Sequence, residues 1–170
     1  MFDEVIKGEP LHIEKIISGG QTGVDRAALD VAFELDIPCG GCCPKGRKAE
    51  DGPIDTRYPL QETVSARYPI RTERNVKESD GTLILTWGKP SGGTALTIKF
   101  AQKHKKPIWI IDLSMGGDSK AVKEWAKVNR IRILNVAGPP ESSVPGIYDQ
   151  AVKFLRSVLN RPQIRYDQPL

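Results

Sequence analysis

Two short glycine turns hold most of the chemistry that this sequence offers. The first, "SGGQTGVDR", runs from Ser18 to Arg26, and the second, "PSGGTAL", from Pro90 to Leu96. Each follows an apolar run of strand length and opens directly into a helical pattern. The first turn of a helix carries free backbone N–H groups and a partial positive charge, so an oxyanion is stabilised there. Glycines let that backbone approach a phosphate closely, and hydroxyl or amide side chains add donors. The candidate set is Gly19, Gly20, Gln21, Thr22 and Gly23 in one turn and Ser91, Gly92, Gly93 and Thr94 in the other. Neither turn is the G-x-G-x-x-G dinucleotide fingerprint or a Walker A loop. A single glycine turn after a strand is more often a tight connection. Two of them, both hydroxyl-rich and both at helix starts, favour an anion site.

Other polar residues can complete such a site. Lys45, Arg47 and Lys48 lie in a long charged segment and can either close over an anion or remain a solvated run. Arg71 and Asn75 fall one helical turn apart on one face, able to bond a polar ligand or the neighbouring loop. Asp25 and Arg26 either cap the first helix or face the ligand. Hydrolytic chemistry finds little support: there is no G-x-S-x-G elbow, no H-E-x-x-H and no histidine near either turn. Asp80 and Asp112 stand at strand borders, where caps and turn bonds are the ordinary explanation. Cys39, Cys42 and Cys43 form a tight cluster. A closed zinc site needs four ligands, and His12 and His104 are not spaced as a pair, so buried thiols are expected rather than a protein-ligated structural metal.

The elements that must position these groups alternate. Lys15–Ser18 reads as a strand, Val24–Leu35 as a helix and the segment through Cys42 as a further strand. Pro44–Leu60, rich in proline, glycine and charge, has no usable periodicity, and so long a loop is either functional or a solvated excursion. Arg71–Ser79 reads as a helix capped by Thr72, Gly81–Thr86 as a buried strand, Thr94–Lys105 as a helix and Pro107–Asp112 as a strand. Ser119–Val128, Ile131–Val136 and Ile147–Leu159 complete a helix, strand and helix. Short apolar strands alternating with helices of about ten residues predict a single α/β domain spanning residues 1–170. Its fold is Rossmann-like: a doubly wound, mostly parallel sheet with helices on both faces. Residues 1–12 are expected to be an N-terminal arm and residues 160–170 an extended tail.

With 170 residues the chain can bury a core, and its net charge of +4 is compatible with an anionic ligand without demanding one. No apolar run approaches a membrane span, and the N-terminus lacks a signal-peptide layout, so a cytoplasmic location is expected. Basic residues are scattered and not interleaved with aromatics, which argues against nucleic acid as a partner.

Five segments, "SGGQTGVDRAALD", "GGCCPKGRKAEDGPI", "YPLQET", "RTERNVKESDGTLIL" and "SGGTALTI", occur in order across Ser18 to Asp112. Together they resemble the molybdenum-cofactor carrier proteins, a circularly permuted, YpsA-like branch of the Rossmann-like superfamily that also contains the LOG and DprA proteins. The resemblance implies a non-catalytic carrier for molybdenum cofactor, a pterin dithiolene with a terminal phosphate. It also implies a dimer or tetramer, with molybdoenzymes or cofactor-synthesis proteins as exchange partners. The implied binding set is Gly19 to Gly23, Lys45, Arg71, Asn75 and Ser91 to Thr94. Which turn takes the phosphate stays open. Two positions depart from the pattern: Cys42 stands where the family usually has a bulky aromatic, and Thr97 where LOG-type phosphoribohydrolases carry a glutamate. The alternative is a nucleotide-binding protein or a LOG-like nucleoside 5′-monophosphate hydrolase, which the missing carboxylate disfavours.

Overall fold

The computed structural model of the chain describes residues 10–161. The expected arm and tail lie outside the described residues, apart from residues 10–12 and 160–161. The strands are β1 (Lys15–Ile17), β2 (Cys39–Gly40), β3 (Cys42–Cys43), β4 (Gln61–Glu62), β5 (Gly81–Thr86), β6 (Ile108–Asp112) and β7 (Ile133–Ala137). The helices are α1 (Val24–Glu34), α2 (Tyr68–Glu78), α3 (Gly92–Lys103), α4 (Ser119–Val128) and α5 (Ile147–Leu159).

Five strands form one sheet in the order β2-β1-β7-β5-β6, and every pairing in it is parallel. β3 and β4 pair separately, also in parallel. Successive side chains of a strand point to opposite faces, and the core follows that rule. Leu83 and Leu85 of β5, with Leu134 and Val136 of β7, join a cluster with Val24, Ala28 and Val31 of α1, Val122 of α4 and Leu155 of α5. Thr82, Ile84 and Asn135 turn to the other face, where α2 and α3 pack against each other. There Asn135 Nδ2 donates to Thr82 Oγ1 at 3.2 Å, so a polar pair is buried across the middle of the sheet. This is the Rossmann-like architecture that the alternation predicts.

Several boundaries differ from expectation. α2 begins at Tyr68, three residues early, because Pro69 occupies the first helical turn, where its missing N–H costs nothing. Thr72 therefore lies inside the helix and caps nothing; its hydroxyl donates back to the Tyr68 carbonyl at 3.0 Å. Gly92 and Gly93 belong to the first turn of α3 rather than to the connection before it. The strand expected through Cys42 is two short strands broken at Gly41, whose φ of 119° only glycine adopts easily. Gly41 also lies against Ser18, where an added Cβ would be 2.3 Å from the Ser18 carbonyl oxygen.

Candidate functional site

β1 leads through α1 to β2 on one side of the sheet, whereas β5 leads through α3 to β6 on the other. The two connections leave in opposite directions with β7 between them. That is a topological switch point, and open parallel sheets bind ligands there, beyond the carboxyl ends of the strands. A cleft of about 780 Å³ occupies the place. The turns after β1, β5 and β7 and the first turns of α2 and α3 form its walls. The third of these turns, Gly138 to Val144, went unremarked in the sequence. Its signal was present: a Pro-Pro-Glu-Ser-Ser run after an apolar strand.

The two glycine turns differ in what their amides do. In the first, Gly20 N–H donates to Ser18 Oγ at 3.3 Å, Gln21 N–H to Asp25 Oδ2 at 3.3 Å and Thr22 N–H to Gln21 Oε1 at 3.0 Å. Val24 N–H donates to the Pro139 carbonyl at 3.3 Å. These four amides of the turn are already bonded within the protein. Thr22 is not among the cleft-lining residues: its hydroxyl donates to Glu50 Oε1 and accepts from Glu141 N–H at 3.1 Å. Gly20 and Gly23 do not line the cleft either. An added Cβ on Gly20 would strike Leu60 and Ile54, and one on Gly23 would lie 2.4 Å from the Pro139 carbonyl oxygen. Their glycines serve packing.

The second turn is open. Ser91 precedes α3 without making a side-chain cap bond, and the first N–H groups of a helix have no intrahelical acceptor. Ser91, Gly92, Gly93 and Thr94 all line the cleft. A Cβ added at Gly92 or Gly93 meets nothing within 4 Å, so the space over these amides is clear. Behind them Thr97, buried, donates its hydroxyl to the Gly93 carbonyl at 2.9 Å. Lys89 adds a cation to the same wall.

Arg71 reaches the cleft from α2 and is 9% exposed. Its Nη1 donates to Asp25 Oδ2 at 3.0 Å, while its buried Nε–H has no partner. Burial raises the Asp25 carboxyl above its ordinary range, and the Arg71 guanidinium pulls the other way. The guanidinium lies directly over Gly19, where an added Cβ would fall 1.3 Å from Nη1. Gly19 is thus a glycine so that Arg71 can pass. Asn75, also on the cleft wall, accepts from Cys42 N–H at 2.7 Å and donates to the Cys42 carbonyl at 2.9 Å. Both ends of its amide hold the β3 strand, as the loop-bonding reading allowed.

The long segment Pro44–Leu60 is neither open lid nor solvated excursion. Ala49, Ile54, Tyr58 and Leu60 form a small core of their own with Leu29 and Cys43. Arg47 lies within it, donating to the carbonyls of Ile54, Asp55, Tyr58 and Leu60 at 2.8–3.2 Å, so it is spent on the loop rather than free for an anion. Lys45 is exposed and is not among the cleft-lining residues. Lys48 comes nearer, with its ammonium 4.7 Å from the ring centroid of Tyr68, a cleft residue. The segment also delivers Glu50, which accepts from the Ser142 amide at 3.2 Å and from the hydroxyls of Ser142 and Thr22. Those bonds hold its carboxyl below the ordinary range.

Burial raises all three thiols, Cys42 to about 11 with help from Glu78, so they remain protonated at neutral pH. Among the described residues no group of three or more His, Cys, Asp or Glu side chains is placed to hold a metal ion. No helix among them is long and apolar enough to cross a membrane.

Residues 16–159 match the profile of the circularly permutated YpsA SLOG family. The fold is also that of a crystal structure from Syntrophus aciditrophicus SB, a "Putative molybdenum carrier protein". That chain is 46% identical, with a TM-score of 0.87 over 90% of the present chain and 99% of its own. Among curated proteins, none matches.

Proposed function

The chain belongs to the circularly permutated YpsA SLOG family, and from that premise we propose that it carries molybdenum cofactor as cargo. The terminal phosphate sits at the α3 turn, on the amides of Gly92 and Gly93 and the hydroxyls of Ser91 and Thr94. The observation that carries the reading is the contrast between the two turns. At one helix start four amides are spent on Ser18, Asp25, Gln21 and Pro139; at the other Gly92 and Gly93 line an open cleft with no side-chain cap. Arg71 lines the same cleft, and its buried Nε–H has no partner within the protein. A cleft of about 780 Å³ has room for much more than a phosphate. The neighbour from Syntrophus supports the molybdenum side of the proposal.

In this reading Gly19 and Asn75 shape the wall, Gln21 borders the cargo, Gly20, Thr22 and Gly23 brace the first turn, and Lys45 stays peripheral. Carriage rather than catalysis fits the carboxylates. Asp25 is tied to Arg71 Nη1 and the Gln21 amide, and Glu50 is held ionised by three donors, so neither carboxyl is free to serve a leaving group. α3 offers Thr97, a hydroxyl already bonded, where a hydrolase of the LOG type has its glutamate. A homo-oligomer, a cytoplasmic location and hand-over to a molybdoenzyme or a cofactor-synthesis protein belong to the same proposal. Isothermal titration with a phosphate ester of a pterin tests it. Binding that disappears in Gly93→Asp supports the α3 turn, and unchanged affinity in the folded variant refutes it.

A further inference from the structure

Trp87 stands in the turn between β5 and α3, five residues before Gly92. It is 47% exposed and lines the same cleft. An indole left that open is unusual on a turn without a use for it, because its large apolar face is normally buried. The turn is also pinned on both sides of it. Thr86 Oγ1 donates to the Gly88 carbonyl at 3.1 Å, and Gly88 N–H donates to Asp112 Oδ1 at 2.9 Å. Asp112 is in turn fixed by donors from Ser114, whose amide lies at 3.0 Å, and these bonds hold its carboxyl below the ordinary range. The protein therefore presents a flat aromatic surface on a fixed backbone beside the open amides of α3.

We infer that Trp87 is a stacking platform that selects ligands carrying a fused, planar heteroaromatic ring joined to a phosphate. The inference rests on the anion site at the α3 turn and adds to it the group that reads the rest of the ligand. The phosphate fixes one end of the molecule at Gly92 and Gly93, and the ring lies against the indole. Asp112 acts through Gly88 as a positioning residue for that surface. Stacking of a base on an aromatic side chain is tolerant of the ring's identity, so pterin and purine esters share this contact. Discrimination between them falls to other parts of the cleft.

Three probes separate the contributions: 6-hydroxymethylpterin phosphate, AMP and ribose 5-phosphate, which keeps the phosphate and lacks the ring. Titration of the intact protein is expected to give tighter binding for both ring-bearing esters than for ribose 5-phosphate. Trp87→Ala should weaken the ring-bearing esters roughly 5- to 150-fold while ribose 5-phosphate changes less than about twofold. Trp87→Phe should recover most of the loss. Equal affinity of the three probes, or a Trp87→Ala protein that keeps its preference for the ring, overturns the inference and leaves the anion site standing. Ribose 5-phosphate binding that survives Gly93→Asp overturns the anion site instead. In the unmutated protein, saturating pterin ester should shield one tryptophan from acrylamide quenching. Unchanged quenching at saturation also overturns the inference, without relying on any variant.

Discussion

Gly19→Ala turns the reading of the first glycine turn into a number. The added methyl would fall 1.3 Å from Arg71 Nη1 and 2.4 Å from Cζ, distances at which the guanidinium has to leave. Leaving breaks its bond to Asp25, whose side chain is 7% exposed. Removing one partner of a buried ion pair costs about 3–5 kcal/mol, and the Gln21 amide that remains on Asp25 puts the expectation near the lower figure. The loss also depends on pH. A buried carboxyl with its folded pKa raised above the ordinary 3.8 contributes stability that is present at low pH and lost as pH rises through the folded value. The deficit should therefore be smaller at pH 4.5 than at pH 7. Urea unfolding of four proteins isolates the cause: unmutated, Gly19→Ala, Arg71→Met and the double variant. With the guanidinium gone, the methyl meets chiefly Asp25 Oδ2 at 2.9 Å, a contact that a small rotation relieves. In the Arg71→Met background the same change should then cost within about 1 kcal/mol. A Gly19→Ala cost that is equal in both backgrounds, or below about 1 kcal/mol in the first, refutes the argument.

Three further outcomes are expected. Gly93→Asp, which adds a carboxylate where a Cβ meets nothing within 4 Å, should leave the melting temperature nearly unchanged and weaken phosphate-ester binding at least about tenfold by calorimetry. Arg47→Ala removes four bonds to the carbonyls of residues 54–60 and should cost about 2–4 kcal/mol in urea unfolding, with limited proteolysis cutting first inside residues 44–60. Glu50 has its carboxyl held below 4.5 by Ser142 and Thr22, so its bonds persist at neutral pH and are lost as pH falls through that depressed value. The Ser142 amide resonance should titrate with a midpoint below 4.5 in the unmutated protein and stay flat in Glu50→Ala.

Elements whose signal is local were legible in the sequence. Gly81–Thr86 is buried on both faces and reads as an unbroken apolar run, and Ser119–Val128 and Ile147–Leu159 show their apolar faces at helical spacing. Their limits coincide with expectation. Helix starts at Tyr68 and Gly92 were set too late because Pro69 and the Gly92-Gly93 pair look like breakers, yet both residue types are tolerated in a first turn. That residues of both glycine turns line one cleft was legible, since parallel sheets place such turns together. Their unequal roles did not follow. The acceptors that saturate the first turn include Pro139, more than a hundred residues away, and Arg71 reaches Gly19 from another helix. Spacing cannot express either contact. Glu50 was hidden for a related reason: its partner Ser142 comes from the turn after β7, and nothing in the run of charges around it marks the meeting.

Under the proposed function, the open turn of α3 holds molybdenum cofactor by its phosphate. Native mass spectrometry with molybdenum analysis, on protein purified from a host that makes the cofactor, tests it most directly. The unmutated protein should carry molybdenum together with a phosphorylated pterin, and Gly93→Asp should carry neither. Protein that arrives without molybdenum, that holds a nucleotide instead, or that loads equally in both forms would contradict the account.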